Sequence, residues 1–479
     1  MTIKPRLVRE TPFMLRVEGM PSLGFVPRVY ATTDVPIDRA TIASLGLLSD
    51  LGDALRLLPG VALRDAAFTP DFHKASTVPV GTVLDVEGAV FPGAAGSDIG
   101  CGMALASLDI RYDEFTEALP RLRPMLRHAF HQGGRDIAMS EDARARILQE
   151  GIAGMSSACG QGGLLDSMTD EDIQAHYLAA LDPSLPTNGL WNFDNYVKGS
   201  GGLSRDAQIG SLSGGNHFLE FGRVESRIDK AACWKRELHE DGVTILAHNG
   251  SVGLGSAVGS HFSELAREAH AKRALGVMQR LMPLNMDRGG QGQAYIDAMG
   301  LAANFALVNR VILLWMARDC VSRAIGRPVV MKPVLDSVHN MAWASQEREG
   351  WRVLHRKGAA PAPMDRPLVV PGSSGTGTLL FTGLGFAGTH ASAPHGSGRV
   401  ERRSCGHAAV DERRLHGEVL PQEELNRLPR RVADILRAGL SEEAPRAYKP
   451  VETVGRTVDE AGMGNPLCRL LPILTIKKA

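Results

Sequence analysis

Asp98 and Cys101 stand three positions apart in Gly96-Ser97-Asp98-Ile99-Gly100-Cys101-Gly102-Met103, so a glycine-hinged turn can aim a carboxylate and a thiol at one point. Ser213-Gly-Gly-Asn216-His217-Phe-Leu-Glu220 presents an imidazole, an amide and a second carboxylate in the same manner. His248 opens His-Asn-Gly-Ser-Val-Gly-Leu-Gly, and His339 lies in Asp-Ser-Val-His-Asn. Carboxylate, thiolate and imidazole together suit a borderline divalent metal. A thiolate can bridge two ions, and a two-metal site stabilises the attacking and leaving oxygens of an in-line displacement. His395-Gly396-Ser397-Gly398-Arg399 adds a different chemistry. Small residues clear space around an imidazole that can act as a nucleophile toward phosphorus, with an arginine to hold the oxyanion. Pro371-Gly372-Ser373-Ser374-Gly-Thr-Gly-Thr378 can turn backbone N–H groups toward phosphate, although no Gly-Lys-Ser/Thr ends it as in a Walker A loop. Taken singly, a buried cysteine, a structural histidine or an ordinary turn accounts for each string. Their shared glycine-flanked settings favour a metal centre beside a nucleotide site. His128, His131, His176, His239, His270, His355, His407 and His416 lack such settings and read as structural or solvated.

These groups must be positioned by a large fold. The 479 residues carry 44% hydrophobic and 22% charged residues, ordinary for a globular chain. Lysine plus arginine equals aspartate plus glutamate at 53 each, so strong global steering toward nucleic acid is absent. Cys101, Cys159, Cys233, Cys320, Cys405 and Cys468 form no Cys-x-x-Cys pair, which argues against a zinc ribbon. No secretory leader is visible, so a reducing cytoplasm is expected. The best membrane candidate is 294–325, whose longest uncharged run, Ala298–Asn309, is too short to span a bilayer.

Apolar spacing predicts a helix over 41–58, ended by Pro59-Gly60. Strands are expected at 61–68, 78–83, 104–108, 243–246, 329–331, 368–370 and 379–382. Helices are expected over much of 112–180, at 294–325, and near 421–428 and 430–439. Arg121, Arg123 and Arg127 read as a solvated helix face rather than a phosphate site. Residues 183–215, rich in Gly, Asn, Ser and Pro, read as a lid or substrate loop. With chemical residues spread from 71 to 477 and no clean linker, the expectation is one interwoven α+β domain over 1–479, its mixed sheets and surrounding helices enclosing a central metal and nucleotide cleft.

Pro70-Asp71-Phe72-His73, Asp98-Ile-Gly-Cys-Gly-Met103, Gly215-Asn-His-Phe-Leu-Glu220, His248-x-Gly-Ser-x-Gly-x-Gly255, Val338-His339-Asn340, Lys357-Gly-Ala359, Pro371-Gly-Ser373 and His395-Gly-x-Gly-Arg399 occur in the order found in RtcB-type RNA-splicing ligases. The ending Ile476-Lys477 also resembles that family. The resemblance covers nearly the whole chain from about residue 60 and implies an RtcB-like fold. It implies a GTP- and Mn²⁺-dependent enzyme that joins an RNA 3′-phosphate or 2′,3′-cyclic phosphate to a 5′-hydroxyl. By motif, Cys101 would bridge two Mn²⁺ ions, with Asp98 and His217 completing one site and His248 and His339 the other. Zn²⁺ would be a plausible competitor. His395 would carry GMP, oriented by Asp71 and assisted by Arg399. Asn216, Glu220, Asn340, Pro371, Gly372, Ser373, Ser374, Thr378, Gly396, Gly398 and Lys477 would hold the nucleotide. The implied partner is RNA with broken ends, without a membrane. Nothing in the residues specifies a helper protein.

The chain departs from the family pattern at Val252, where an arginine usually follows the His-x-Gly-Ser string. Smaller departures are Ser374, Ser397 and Phe72. Val252 and the unusual 183–215 segment suggest a particular damaged RNA as substrate rather than general tRNA splicing. They also keep two competing readings in view. One is a metal-dependent phosphoesterase acting on cyclic phosphate ends without ligation. The other is a non-catalytic RNA-binding protein.

Overall fold

The computed structural model describes residues 4–20, 23–55, 58–96, 98–198, 204–205, 208–270, 281–287, 290–348, 350–373, 375–400, 430 and 445–477. Two seven-stranded sheets organise them. The first runs, in spatial order, Arg6–Thr11, Met14–Glu18, Arg28–Tyr30, Ala62–His73, Val80–Glu87, Gly350–Lys357, Asn340–Glu347. The second runs Met331–Val338, Gly102–Arg111, Gly242–Asn249, Phe218–Arg227, Gly464–Ile476, Thr378–Gly383, Pro367–Pro371. Among the described residues, neighbouring strands in both sheets pair antiparallel except Arg28–Tyr30 against Ala62–His73. The sheets are joined at their edges. The chain leaves the edge strand Met331–Val338, passes through His339 alone, and enters the edge strand Asn340–Glu347.

Strand Gly102–Arg111 explains how the second sheet holds a core on both faces. Its alternation sends Ala104, Ala106, Leu108 and Ile110 into the main core and Met103 and Leu105 into a second cluster with Val224, Leu246 and Leu335. The alanines admit the 35-residue helix Gln291–Ile325, which packs against this strand and Gly242–Asn249. That helix is apolar over most of its surface because most of it is buried. By length and composition it could cross a membrane, but its most apolar window lies wholly inside the fold.

Three buried polar side chains interrupt its apolar surface in different directions, and one of them, Arg310, reaches the backbone beside the site. Arg310 is fully buried and bonds Asp336 at 2.6 Å, the Gly100 carbonyl at 2.8 Å and the Asn249 carbonyl at 3.0 Å. Asn309 accepts from the Gly210 N–H at 2.7 Å, and Asn304 accepts from the Leu185 N–H at 2.8 Å. Both carboxamides therefore pin the 183–215 segment to the helix, and Leu185, Phe193, Ile209 and Leu212 are buried. The described parts of that segment are anchored to the core at these residues.

The expected helix over 41–58 is interrupted. Helix Arg39–Ser44, capped by the Asp38 carboxylate, closes on Leu45, and Gly46–Leu55 follows. Expected strands lengthen where backbone pairing continues past the apolar run, so 61–68 becomes Ala62–His73 and 329–331 becomes Met331–Val338. Strands Phe218–Arg227 and Gly464–Ile476 and the helix Val252–Ala269 have no counterpart in the sequence reading. The expected helices at 421–428 and 430–439 lie, except for Arg430, outside the described residues.

Candidate functional site

Four neighbouring strands of the second sheet end at one place. His248 pairs with Met103 on one side and Phe218 on the other, and Val338 pairs with Gly102. Ladder register thus sets Cys101, His217, His248 and His339 together, each at or beside a strand end. The backbone ties them further, since the His339 N–H donates to the Cys101 carbonyl at 2.8 Å. Gly100, at φ +74°, lies so close to the long helix that a Cβ would come within 2.7 Å of the Ala303 Cα. Only glycine meets both demands.

The side chains converge. Cys101 Sγ is 3.2 Å from His217 Nε2 and 3.2 Å from His248 Nε2. His248 Nε2 is 3.4 Å from His339 Nε2, and His217 Nε2 is 2.8 Å from Asp98 Oδ2. Two donor triads result, Asp98–Cys101–His217 and Cys101–His248–His339, with Cys101 common to both and the ligand atoms of each within 4.8 Å of one another. These are the five residues expected as metal ligands.

The chemistry of this donor set fits divalent cations. His248 Nδ1 donates to the Asn216 carbonyl at 3.1 Å, leaving the lone pair on Nε2. Burial, reinforced by neighbouring imidazoles, holds His248 and His339 well below the usual histidine range, so both are neutral. Burial, with the Asp98 carboxylate beside it, raises the Cys101 thiol well above its usual value. A cation is what would release that proton.

A second constellation lies beside the first. His395 follows strand Ser392–Pro394, which pairs with Ala359–Pro361. Its Nδ1 is 2.6 Å from Asp71 Oδ2, and its N–H donates to the same oxygen at 3.2 Å. The other Asp71 oxygen accepts from Thr69 Oγ1 at 2.5 Å. The Asp71 side chain is fully buried, whereas that of His395 is 12% exposed. With Nδ1–H donated to the carboxylate, the lone pair lies on Nε2. The His395 and His339 rings are 4.6 Å apart, so the carboxylate–imidazole pair adjoins the metal-competent triad. Gly398, at φ +75°, packs so tightly on the Asp71 carbonyl that a Cβ would overlap it.

One cleft of about 1160 Å³ takes in these groups. It is lined by Asp98, Cys101, His248, His339 and His395, and by Asn216, Glu220, Asn340, Pro371, Gly372, Ser373, Thr378, Gly396, Gly398, Arg399 and Lys477. His217 and Asp71 lie behind this wall. Ser374 falls outside the described residues. Glu220 accepts from Thr475 Oγ1 at 2.8 Å, and burial raises its carboxyl to about 7. Arg399 donates to the Tyr448 hydroxyl at 3.0 Å and sits 4.9 Å over its ring. Asn340 lines the cleft, but its carboxamide also bridges two loops, accepting from the Gly358 N–H at 2.8 Å and donating to the Asp98 carbonyl at 3.4 Å. None of Arg121, Arg123 and Arg127 lines the cleft. Val252 begins the helix Val252–Ala269 at φ +52°, partly buried against the main core and away from the cleft wall.

Several residues here were not expected at the site from the sequence. Lys449 is buried and donates to the carbonyls of Pro70 at 2.8 Å and Phe72 at 2.7 Å, clamping the backbone on both sides of Asp71. Lys357 donates to Thr77 Oγ1 at 2.7 Å and the Val78 carbonyl at 2.9 Å, and burial lowers its ammonium to about 8. His73, Lys74, Thr376, Tyr448 and Thr475 also line the cleft. Lys357 and His73 stood inside quoted motifs. Lys449 and Tyr448 stood in none.

The family model described as tRNA-splicing ligase RtcB matches residues 54–478. The RNA-splicing ligase RtcB of Mycobacterium tuberculosis is 28% identical, the match covering 88% of this chain and 98% of the relative. The tRNA-splicing ligase RtcB of Archaeoglobus fulgidus is 31% identical over 87% of this chain and 88% of its own length. That of Thermococcus kodakarensis is 28% identical with the same coverage of each chain. A match of this extent, on a fold that gathers the family's motif residues into one cleft, makes the chain a member of the RtcB family.

Proposed function

We propose that this protein is a GTP-dependent RNA ligase that joins a 3′-phosphate or 2′,3′-cyclic phosphate end to a 5′-hydroxyl end through a histidine–GMP intermediate. The observation that carries the reading is the Asp71–His395 pair at 2.6 Å, set beside the Cys101 triads in a cleft of nucleotide size or larger. Asp98, Cys101 and His217 would hold one Mn²⁺ and Cys101, His248 and His339 another. When bound, the ions would neutralise phosphate charge and make a hydroxyl a better nucleophile. Zn²⁺ would compete, because it binds such donors more tightly than Mn²⁺.

The residues of the chain divide the remaining work. Asp71 keeps the His395 proton on Nδ1, so Nε2 attacks the α-phosphorus of GTP and pyrophosphate leaves. The carboxylate stabilises the positive charge that the imidazole gains. A 2′,3′-cyclic phosphate end would first be opened by water, which forms a P–O bond as the P–O2′ bond breaks and leaves a 2′-hydroxyl and a 3′-phosphate. An oxygen of the RNA 3′-phosphate then attacks the α-phosphorus and expels His395. The 5′-hydroxyl attacks the activated 3′-phosphate, forming the phosphodiester and expelling GMP. Glu220, when ionised, can accept from the N1–H and amino group of guanine, with Thr475 and Lys477 beside it. Arg399 would hold a phosphate oxygen, and Asn216, Gly372, Ser373, Thr378, Gly396 and Gly398, which line the cleft, would contact the nucleotide.

Two RNA fragments, one ending in a 3′-phosphate and one beginning with a 5′-hydroxyl, test the reading when incubated with protein, Mn²⁺ and GTP. The expected result is a joined product that requires both additions. On a fragment ending in a 2′,3′-cyclic phosphate, ring opening or release of phosphate without joining, indifferent to GTP, would favour the phosphoesterase reading, which the uncharged Val252 supports. A particular damaged RNA is the proposed substrate, on the same observation. Equal joining of tRNA halves and of unstructured fragments would count against that choice.

A further inference from the structure

Asp71 orients two imidazoles, and the chemistry above uses one. Its carboxylate takes His395, while its main-chain carbonyl accepts from His73 Nδ1 at 2.8 Å. Burial pushes His73 down to about 4, so the ring is neutral with its lone pair on Nε2. His73 lines the cleft, and Nε2 has no hydrogen-bond partner among the described residues. A neutral imidazole whose only proton is already donated can accept but not donate. It therefore selects a hydroxyl and disfavours an ionised phosphate oxygen.

The wall around His73 is built by the first sheet and the segments beside it, whereas Glu220, Thr475 and Lys477 come from the second sheet or its end. Asp38, Ala40, Lys74, Ala75 and Ser76 continue the lobe. The Asp38 carboxylate is engaged by the Thr41 N–H at 2.7 Å and the Thr41 hydroxyl at 2.9 Å. Lys357 and Lys449 are engaged by the oxygens named above. Lys74 is exposed, which makes it the cation of this lobe best placed to meet an incoming phosphate. Pockets for one small ligand usually span roughly 300–1,000 Å³, and this cleft, at about 1160 Å³, lies at or beyond the top of that range.

We propose that this lobe is a subsite for the RNA strand, in which His73 Nε2 accepts from a ribose 2′-hydroxyl and Lys74 pairs with an adjoining phosphate. The proposal rests on the ligase reading for its substrate class. A 2′-hydroxyl is what lets a site distinguish RNA from DNA.

The test is binding of fluorescent single-stranded RNA and DNA of one sequence, each with a 3′-phosphate, to the Mn²⁺-loaded protein, read by anisotropy. Wild type is expected to prefer RNA by about fivefold, the scale of one neutral hydrogen bond. His73→Ala should lose the preference, and His73→Gln, which keeps an acceptor, should retain most of it. Lys74→Ala should weaken both ligands equally. Retained preference in His73→Ala, or its loss in His73→Gln, would overturn the proposal. So would an effect of His73→Ala confined to discrimination between GTP and 2′-deoxy-GTP in a labelling assay, which would assign the hydroxyl to the nucleotide. Binding is read without joining, so a protein that prefers RNA through His73 yet ligates nothing would overturn the ligase reading and not the subsite.

Discussion

The Cys101 cluster and the Asp71–His395 pair both rest on histidines, yet the fold treats them oppositely. His248 and His339 are held neutral by burial and face other donor atoms at 3.2–3.4 Å. His395 instead faces a fully buried carboxylate at 2.6 Å. Imidazoles that converge with other donor atoms, the Asp98 carboxylate facing His217 among them, make ligands for a cation. An imidazole backed by a carboxylate makes a nucleophile that can bear positive charge. The frameworks differ as well. The cluster sits on adjacent strand ends of one sheet, fixed by ladder register and by Arg310 behind it. The pair comes from different regions, a central strand of the first sheet and a connection after a three-residue strand, and Lys449 and Gly398 hold them together.

The contrast can be broken from either side. Cys101→Ala removes the donor common to both triads. Metal affinity is expected to fall by more than about a hundredfold at both sites, measured by elemental analysis after dialysis, with joining lost as well. Asp71→Asn acts on the other region alone. It favours the wrong tautomer of His395, and by analogy with carboxylate-supported catalytic histidines labelling by GTP should slow by about a thousandfold or more. Bound metal should not change. Loss of metal in Asp71→Asn would show that the two regions are one structural unit.

Arg310→Met tests the support behind the cluster. It leaves the Asp336 carboxylate buried without its partner and is expected to cost about 3–5 kcal/mol in urea unfolding. Adding Asp336→Leu should recover part of that. A smaller effect concerns Glu220. Burial raises it to about 7, so below that pH it is protonated and offers guanine a poorer acceptor. The KM for GTP should therefore fall as pH rises through about 7, by roughly tenfold at most per pH unit. In Glu220→Gln this dependence should flatten.

The proposed ligands Asp98, Cys101, His217 and His248 and the proposed nucleophile His395 were legible because they stand in glycine-flanked strings, where side-chain type and local backbone freedom appear together, whereas His339 has no glycine near it. Arg310 and Lys449 were not, because their role is to bond main-chain carbonyls of distant strands, a demand that leaves no local pattern. The long helix was legible from its apolar run, but its row of Asn304, Asn309 and Arg310 gains meaning only from what lies opposite. Strand Phe218–Arg227 escaped notice because its buried side is set by neighbours on both flanks rather than by a strict alternation of its own. The 183–215 segment reads as a loop by composition, yet two buried carboxamides fix its described parts to the core.

The central claim is that His395 is the nucleophile and that the Cys101 cluster serves it. The most direct measurement is incubation of purified protein with Mn²⁺ and α-radiolabelled GTP, followed by a denaturing gel, with His395→Ala alongside. Covalent label is expected on the wild type and none on the variant, with equal metal in both. An unlabelled wild type with metal bound, or a labelled His395→Ala, would contradict it.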